Sequence, residues 1–141
     1  MKTFHEKKYD MELACSLDNN GVIRIKMAGN VSSDYEDEFM EWSETVREVM
    51  HTAKETDPKK VFCVIDLTGQ KIDADKESLG WLIDLVKYNK DYVTRTGVYG
   101  ANLITRSLVD IALRTTGRDN MKMFETQEQA EGWVFTGEEK G

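Results

Sequence analysis

Three aspartates in one short stretch of the chain are the residues whose type and spacing suggest chemistry most directly. Asp66 ends an apolar run, and Asp73 and Asp75 follow it closely. Carboxylate oxygens bind hard cations such as Mg²⁺, and open α/β sheets bind ligands at the carboxyl ends of their strands. Aspartates also cap helices and hydrogen-bond loop amides, which is the interpretation that we favour. With only Gly69 and Gly80 in the segment, no phosphate-binding glycine loop accompanies them.

A second group of residues offers anion-binding chemistry. Thr68 and Gly69 follow one predicted strand, Asn102 follows another, and Thr105 and Arg106 lie at the start of a predicted helix. Backbone N–H groups and a guanidinium on one rim would bind an anion. A tight turn from strand to helix needs the same small residues, and we favour that interpretation.

The cysteines and histidines do not form a metal site. Cys15, Cys63, His5 and His51 contain no pair at zinc-ligand spacing. Both cysteines lie in apolar strand patterns, which predicts buried free thiols. We therefore predict no metal, no cofactor and no catalytic residue, and free thiols favour a cytoplasmic protein.

Aromatic residues give two further candidate surfaces. Tyr35, Phe39 and Trp42 share one face of a predicted helix, which is typical of packing on a sheet. The alternative is an apolar ligand pocket beneath that helix. Trp81 lies off the apolar stripe of the next predicted helix, so it is either a contact residue or packed beneath the N-terminal residues.

Composition limits the classes of function. The chain has 141 residues, enough for one domain, and its net charge is -7. This charge argues against a nucleic-acid partner. No apolar run approaches the roughly 20 residues of a membrane helix, so we expect no membrane insertion. The first ten residues lack an apolar signal-peptide core.

The elements that position these residues follow from periodicity. Alternating apolar residues over Met11–Leu17 and residues 22–27 predict a β-hairpin. Spacings of three and four from residue 35 to 53 predict a helix, with Ser33 and Glu36 at capping-box spacing. The unbroken apolar run at 61–65 predicts a central strand with parallel neighbours.

The remaining chain continues as alternating helices and strands, and Thr126 and Gln129 repeat the capping-box spacing before the last helix. The predicted order is ββαβαβαβα, a mixed α/β sheet opened by a hairpin with helices packed on it. We place an N-terminal extension at 1–10, a single domain at 11–135 and a frayed tail at 136–141.

Two motifs resemble a known family. The strand ending Val64-Ile65-Asp66-Leu67-Thr68-Gly69, with the loop and helix after it, resembles the SpoIIAA-like group of the STAS domain superfamily. The C-terminal segment from Phe124 to Val134, in which a strand leads into a helix carrying Ala and Trp, is similar to the ending of that group.

The resemblance implies a non-enzymatic module that binds proteins, as anti-sigma factor antagonists do. Those proteins are switched by phosphorylation of a serine after the central strand. Depending on the alignment, Ala74 or Lys76 stands at that position here, and Ser78 lies nearby inside the helix. We therefore expect no phosphorylation switch at the usual position.

Two hypotheses about function follow from the resemblance. In the first, the loop before the second helix contacts a protein partner or a second copy of the chain, which would form a homodimer. In the second, the protein binds or carries a small apolar ligand between helices and sheet, as its Sec14-like fold relatives do.

Overall fold

A computed structural model describes residues 3–8, 11–30, 33–71 and 76–138. Within these ranges one sheet has the strand order β1-β2-β3-β4-β6-β7, and the short β5 pairs with β3. The strands are β1 Thr3–Lys8, β2 Met11–Leu17, β3 Ile23–Asn30, β4 Phe62–Asp66, β5 Gln70–Lys71, β6 Arg95–Tyr99 and β7 Met121–Phe124. The helices are α1 Glu36–Thr56, α2 Lys76–Asn89, α3 Leu103–Thr116 and α4 Gln127–Thr136.

The sheet is mixed. β1, β2 and β3 pair antiparallel, and β3, β4, β6 and β7 pair in parallel. β4 lies between β3 and β6, and Cys63 and Val64 of this strand are both buried. The predicted mixed sheet, hairpin and central strand are therefore confirmed.

Two strands were not predicted. β1 adds an antiparallel edge strand in front of the hairpin, within the segment that we placed as an N-terminal extension. β5 is only two residues long and pairs with the end of β3. The division at residues 10 and 135 stays a prediction.

Of the two predicted capping boxes, the one at Ser33 and Glu36 stays a prediction, because the side chain of Ser33 lies outside the described residues. A 3₁₀ turn over Ser33–Tyr35 precedes α1, and its N-cap residue Tyr35 makes no side-chain capping bond. The box before α4 is confirmed, because Thr126 accepts from the amide of Gln129 while the Gln129 side chain accepts from the amide of Thr126.

The helices cover the two faces of the sheet unequally. The parallel strands β3, β4, β6 and β7 follow one another in the same direction across the sheet. Because the connections between them are right-handed crossovers, α1, α2 and α3 lie on the same face. α4 packs against β4, β6 and β7 on the other face. It approaches β6 closely at Gly97, where an added Cβ would lie 2.8 Å from Cγ2 of Val134.

Candidate functional site

A cavity of about 110 Å³ lies between the sheet and the pair of helices α2 and α3. Its wall is almost entirely apolar. The sheet contributes residues including Ile25, Ile65 and Val98, and the helices contribute residues including Val86, Leu108 and Ala112.

The cavity reaches the surface between the two helices. Ile83, Val86, Leu108 and Val109 all line it and are only half-buried. Ala112 is buried on the inner face of α3, where its single methyl group leaves space that a larger side chain would fill. A small molecule can therefore reach this space from the gap between α2 and α3.

Two polar atoms in the cavity wall have no hydrogen-bond partner among the described residues. They are Oδ1 of Asn89, a residue that is 4% exposed, and Oγ1 of Thr105, which is 6% exposed. A buried polar atom without a partner destabilises the fold by about 1–3 kcal/mol. Such atoms are expected where a ligand or an ordered water completes the site.

A buried arginine also lines the cavity. Arg118 is 7% exposed. Its Nε donates to Oδ1 of Asn120 at 2.7 Å, its Nη1 to the carbonyl of Val86 at 3.2 Å, and its Nη2 to Oγ1 of Thr96 at 2.9 Å. All three acceptors are neutral, and no ion pair within the described residues includes Arg118. Burial lowers the pKa of Arg118 from 12.5 to about 10, so the side chain remains a cation at neutral pH.

The end of the cavity near Arg118 is held by several elements. Nδ2 of Asn120 donates to the carbonyls of Lys90 and Val93, which follow α2. The C-terminal part of α2 is also fixed to α1, because the Arg47 guanidinium lies 4.9 Å from the ring centroid of Tyr88. Contacts from α1, α2 and the segment after α2 therefore all meet at this end of the cavity.

The residues predicted at the strand ends do lie at one edge of the sheet. Oδ1 of Asp66 accepts from the amide of Thr68 at 2.8 Å, which closes the turn after β4. Thr68 lies against Gly100, whose φ of +81° and close approach leave no room for a Cβ. Oδ1 of Asn102 accepts from the amide of Thr105 at 2.9 Å and caps α3.

The rest of this edge has structural contacts of the same kind. The carbonyl of Gly69 accepts from the amide of Gly29 at 2.9 Å, and the amide of Arg106 donates to the carbonyl of Asn102 at 2.9 Å. Burial raises the pKa of Tyr99, and the neighbouring Asp66 carboxylate, to which its hydroxyl donates, raises it further. The contacts of these residues are those of turns and a helix cap.

Several predicted site residues lie outside the described part of the chain. These are Asp73, Ala74 and Asp75, together with the side chains of Ser78 and Trp81, whose backbones belong to α2. Their roles stay predictions.

The aromatic residues of the stripe predicted on the first helix, Tyr35, Phe39 and Trp42, have different surroundings. Phe39 and Trp42 are buried, with ring centroids 5.3 Å apart, and Nε1 of Trp42 donates to the carbonyl of Ala14 at 3.0 Å. Trp42 lines the cavity, whereas Phe39 and the half-buried Tyr35 pack in the main core. The cavity thus lies beside α1, under α2 and α3, and not beneath the stripe.

Sequence reasoning named one of the three polar residues of the cavity, Thr105, but as part of an anion-binding rim, and it missed Asn89 and Arg118. Each comes from a different element, and no motif connects them. Only the position of Arg118, directly after the glycine that ends α3, set it apart in the sequence.

The remaining chemistry in the described residues is limited. No group of three histidine, cysteine or acidic side chains among them is arranged to hold a metal ion. Cys15 and Cys63 are buried and free, as predicted, and burial raises the pKa of each thiol to about 12. Neither is a thiolate at neutral pH, so neither is an activated nucleophile. None of the described helices combines the length and apolar character required to span a membrane.

The fold is SpoIIAA-like. A crystal structure of an uncharacterised protein from Shewanella loihica PV-4, described as a DUF3478 family member with a SpoIIAA-like fold, matches this chain with a TM-score of 0.57 at 15% sequence identity. The match covers 92% of this chain and 97% of that one. No family model and no curated protein matches the sequence. The fold predicted from the two sequence motifs is confirmed, and at this identity the likeness concerns the fold alone.

Proposed function

We propose that this protein is a non-catalytic binding module whose ligand is a small, mainly apolar molecule held between the sheet and α2 and α3. The observation that carries the proposal is the apolar cavity of about 110 Å³ with polar atoms in its wall. Ligand sites typically combine an apolar lining with a few placed polar groups.

The size of the cavity supports a small occupant. A closed apolar cavity of about 150 Å³ binds benzene or xenon. The cavity here is somewhat smaller but open between the helices, so an occupant can extend outward past Ile83 and Leu108. The apolar wall contributes binding free energy through the area it removes from water.

Titration with benzene, followed by amide NMR, tests the proposal. We expect saturable shifts for the amides of Val98 and Ala112, whose side chains line the cavity. Ala112→Leu fills the space and should abolish the shifts. Thr115→Leu is the matched control, because it enlarges an exposed residue of the same helix and should bind benzene normally. Absence of saturable shifts, or normal binding by Ala112→Leu, would overturn the proposal.

A second candidate function is contact with a protein, here a second copy of the chain. It is favoured by three large apolar side chains on the outer surface of α3: Leu103 is 81% exposed, Ile104 62% and Ile111 52%. Ile104 and Ile111 are two turns apart and share one face of the helix. Exposed apolar residues grouped in this way are typical of contact surfaces.

Sedimentation velocity over a range of concentrations tests self-association. We expect a dimer that the double variant Ile104→Lys/Ile111→Lys converts to monomer. Met40→Lys changes an equally apolar exposed residue on α1 and should leave the dimer intact. A wild-type protein that stays monomeric at high concentration would contradict this candidate without affecting the ligand proposal.

A further inference from the structure

The charge of Arg118 is the feature of the cavity that an apolar ligand alone does not explain. A guanidinium has five N–H donors, and the described hydrogen bonds use three of them, all to neutral oxygens. Two donors and a full positive charge therefore remain without a matching acceptor among the described residues. A buried charge without a counter-charge is costly, and an anionic group beside it removes much of that cost.

Asn89 lies at the same end of the cavity as Arg118. It is the last residue of α2, and Nη1 of Arg118 donates to the carbonyl of Val86, one turn earlier in that helix. Oδ1 of Asn89 is an acceptor without a partner, so it requires an O–H or N–H donor. This end of the cavity thus presents a cationic donor and a neutral acceptor close together.

The other unpartnered atom marks the opposite end. Thr105 is in the first turn of α3, whereas Arg118 follows the end of that helix. The eleven residue-to-residue steps from Thr105 to Thr116 span about 16 Å along the helix axis. The wall between the two ends is apolar and includes Ala112 and Leu108.

We propose, on the basis of the function proposed above, that the ligand is a small 2-hydroxy carboxylate with a branched apolar body. Its carboxylate accepts from the free donors of Arg118, its hydroxyl donates to Oδ1 of Asn89, and its hydrocarbon part lies along the wall toward Ala112. A hydroxyl fits this acceptor better than an ammonium group, because a second cation beside Arg118 would be repelled.

Isothermal titration calorimetry of the wild-type protein with four matched compounds tests the proposal. The compounds are 2-hydroxy-3-methylbutanoate, 3-methylbutanoate, 2-hydroxy-3-methylbutanamide and valine. We expect the hydroxy acid to bind tightest. The neutral amide and valine should bind at least tenfold more weakly, and the acid without hydroxyl about tenfold more weakly, since hydrogen bonds to charged and buried groups contribute on that scale. Equal affinity for the amide or for valine would overturn the proposal.

Two variants separate the roles of the two residues. Asn89→Leu replaces the side chain by an apolar one of the same shape, so it should bind both acids equally while retaining the preference for the acid over the amide. Arg118→Gln should lose that preference. Arg118 also bonds to three neighbours. If Arg118→Gln does not fold, Asn89→Leu decides: an unchanged tenfold preference for the hydroxy acid would contradict the assigned role of Asn89.

The outcome for benzene distinguishes the two proposals. If benzene binds in the cavity and the carboxylates bind no better than the amide, the present inference fails and the proposed function stands. If neither benzene nor any of the four compounds binds, both fail.

Discussion

The sheet is covered from one side by three helices, but the half beneath α1 and the half beneath α2 and α3 are packed differently. Under α1, Phe39, Trp42, Val46 and Met50 are fully buried, and the indole of Trp42 is hydrogen-bonded to the sheet. Under α2 and α3, half-buried side chains surround a cavity that holds unpartnered polar atoms. The packing beneath α1 stabilises the fold, whereas the half beneath α2 and α3 leaves a cavity, which is where the proposed ligand would lie.

The two halves should differ most in how much stability is lost when a side chain is truncated to alanine. Phe39→Ala should destabilise the protein by about 3–5 kcal/mol, because it leaves a void in a closed core. Leu108→Ala should cost only about 1 kcal/mol, because that side chain is half-buried beside an existing cavity. Urea unfolding of both variants measures the difference. Equal losses would mean that the two halves are packed alike.

The stability of the fold should also respond to alkaline pH, through the buried thiols of Cys15 and Cys63. Burial raises the pKa of the Cys15 and Cys63 thiols from 9.0 to about 12, so above pH 9 the folded protein keeps two protons that the unfolded chain releases. The free energy of unfolding should therefore fall as pH rises from 8 to 10, by about 1 kcal/mol per thiol.

The Cys63→Ala variant isolates this contribution. Its free energy of unfolding should fall by about 1 kcal/mol less than that of the wild type over the same range. The lowered pKa of Arg118 acts in the opposite direction, because the unfolded chain keeps that proton longer, but its effect begins only near pH 10. A pH slope that Cys63→Ala leaves unchanged would show that the thiol is not buried as described.

In the half beneath α2 and α3, one substitution should raise the free energy of unfolding by a smaller amount. Thr105→Val replaces a hydroxyl without a described partner by a methyl group of similar size, so it should stabilise the ligand-free protein by about 1 kcal/mol. Thr115→Val, on the exposed side of the same helix, is the control and should change stability little. A destabilised Thr105→Val protein would show that the hydroxyl has a partner.

We expect phosphorylation to have no effect on binding. Because Ala74 or Lys76 stands at the position of the family's serine, incubation with kinases of the host followed by peptide mapping should find no phosphate that alters binding. A stoichiometric phosphate on Ser78 or Thr68 that changed partner binding would contradict this prediction.

Local sequence patterns predicted the half of the sheet beneath α1 better than the half beneath α2 and α3. The alternation over Met11–Leu17 and the helical spacing of α1 each report a face that packs against one neighbour, and both were interpreted correctly. β1 was missed because residues 3–8 are mostly polar, as edge strands often are. Periodicity placed the start of α1 near Ser33 and did not predict the 3₁₀ turn over Ser33–Tyr35, after which α1 begins at Glu36.

The cavity itself was not predictable from periodicity. The spacing of apolar residues in α2 and α3 shows which face points inward, but it does not show how far the two helices stand from the sheet. Asn89, Thr105 and Arg118 line one cavity only because α2, α3 and the loop after α3 surround the same space. The sequence alone leaves a protein partner and a small apolar ligand as alternatives. The cavity with these polar residues in its wall supports the proposal of a ligand.

A crystal structure determined under xenon pressure tests the central claim most directly, because xenon enters apolar cavities and is located by its own scattering. We predict a xenon atom between α2 and α3, close to Ala112 and Val98, and none at this position in Ala112→Leu crystals. Wild-type crystals without xenon at this position, or a space there already filled by repacked side chains, would contradict the claim that this half of the molecule is a ligand site.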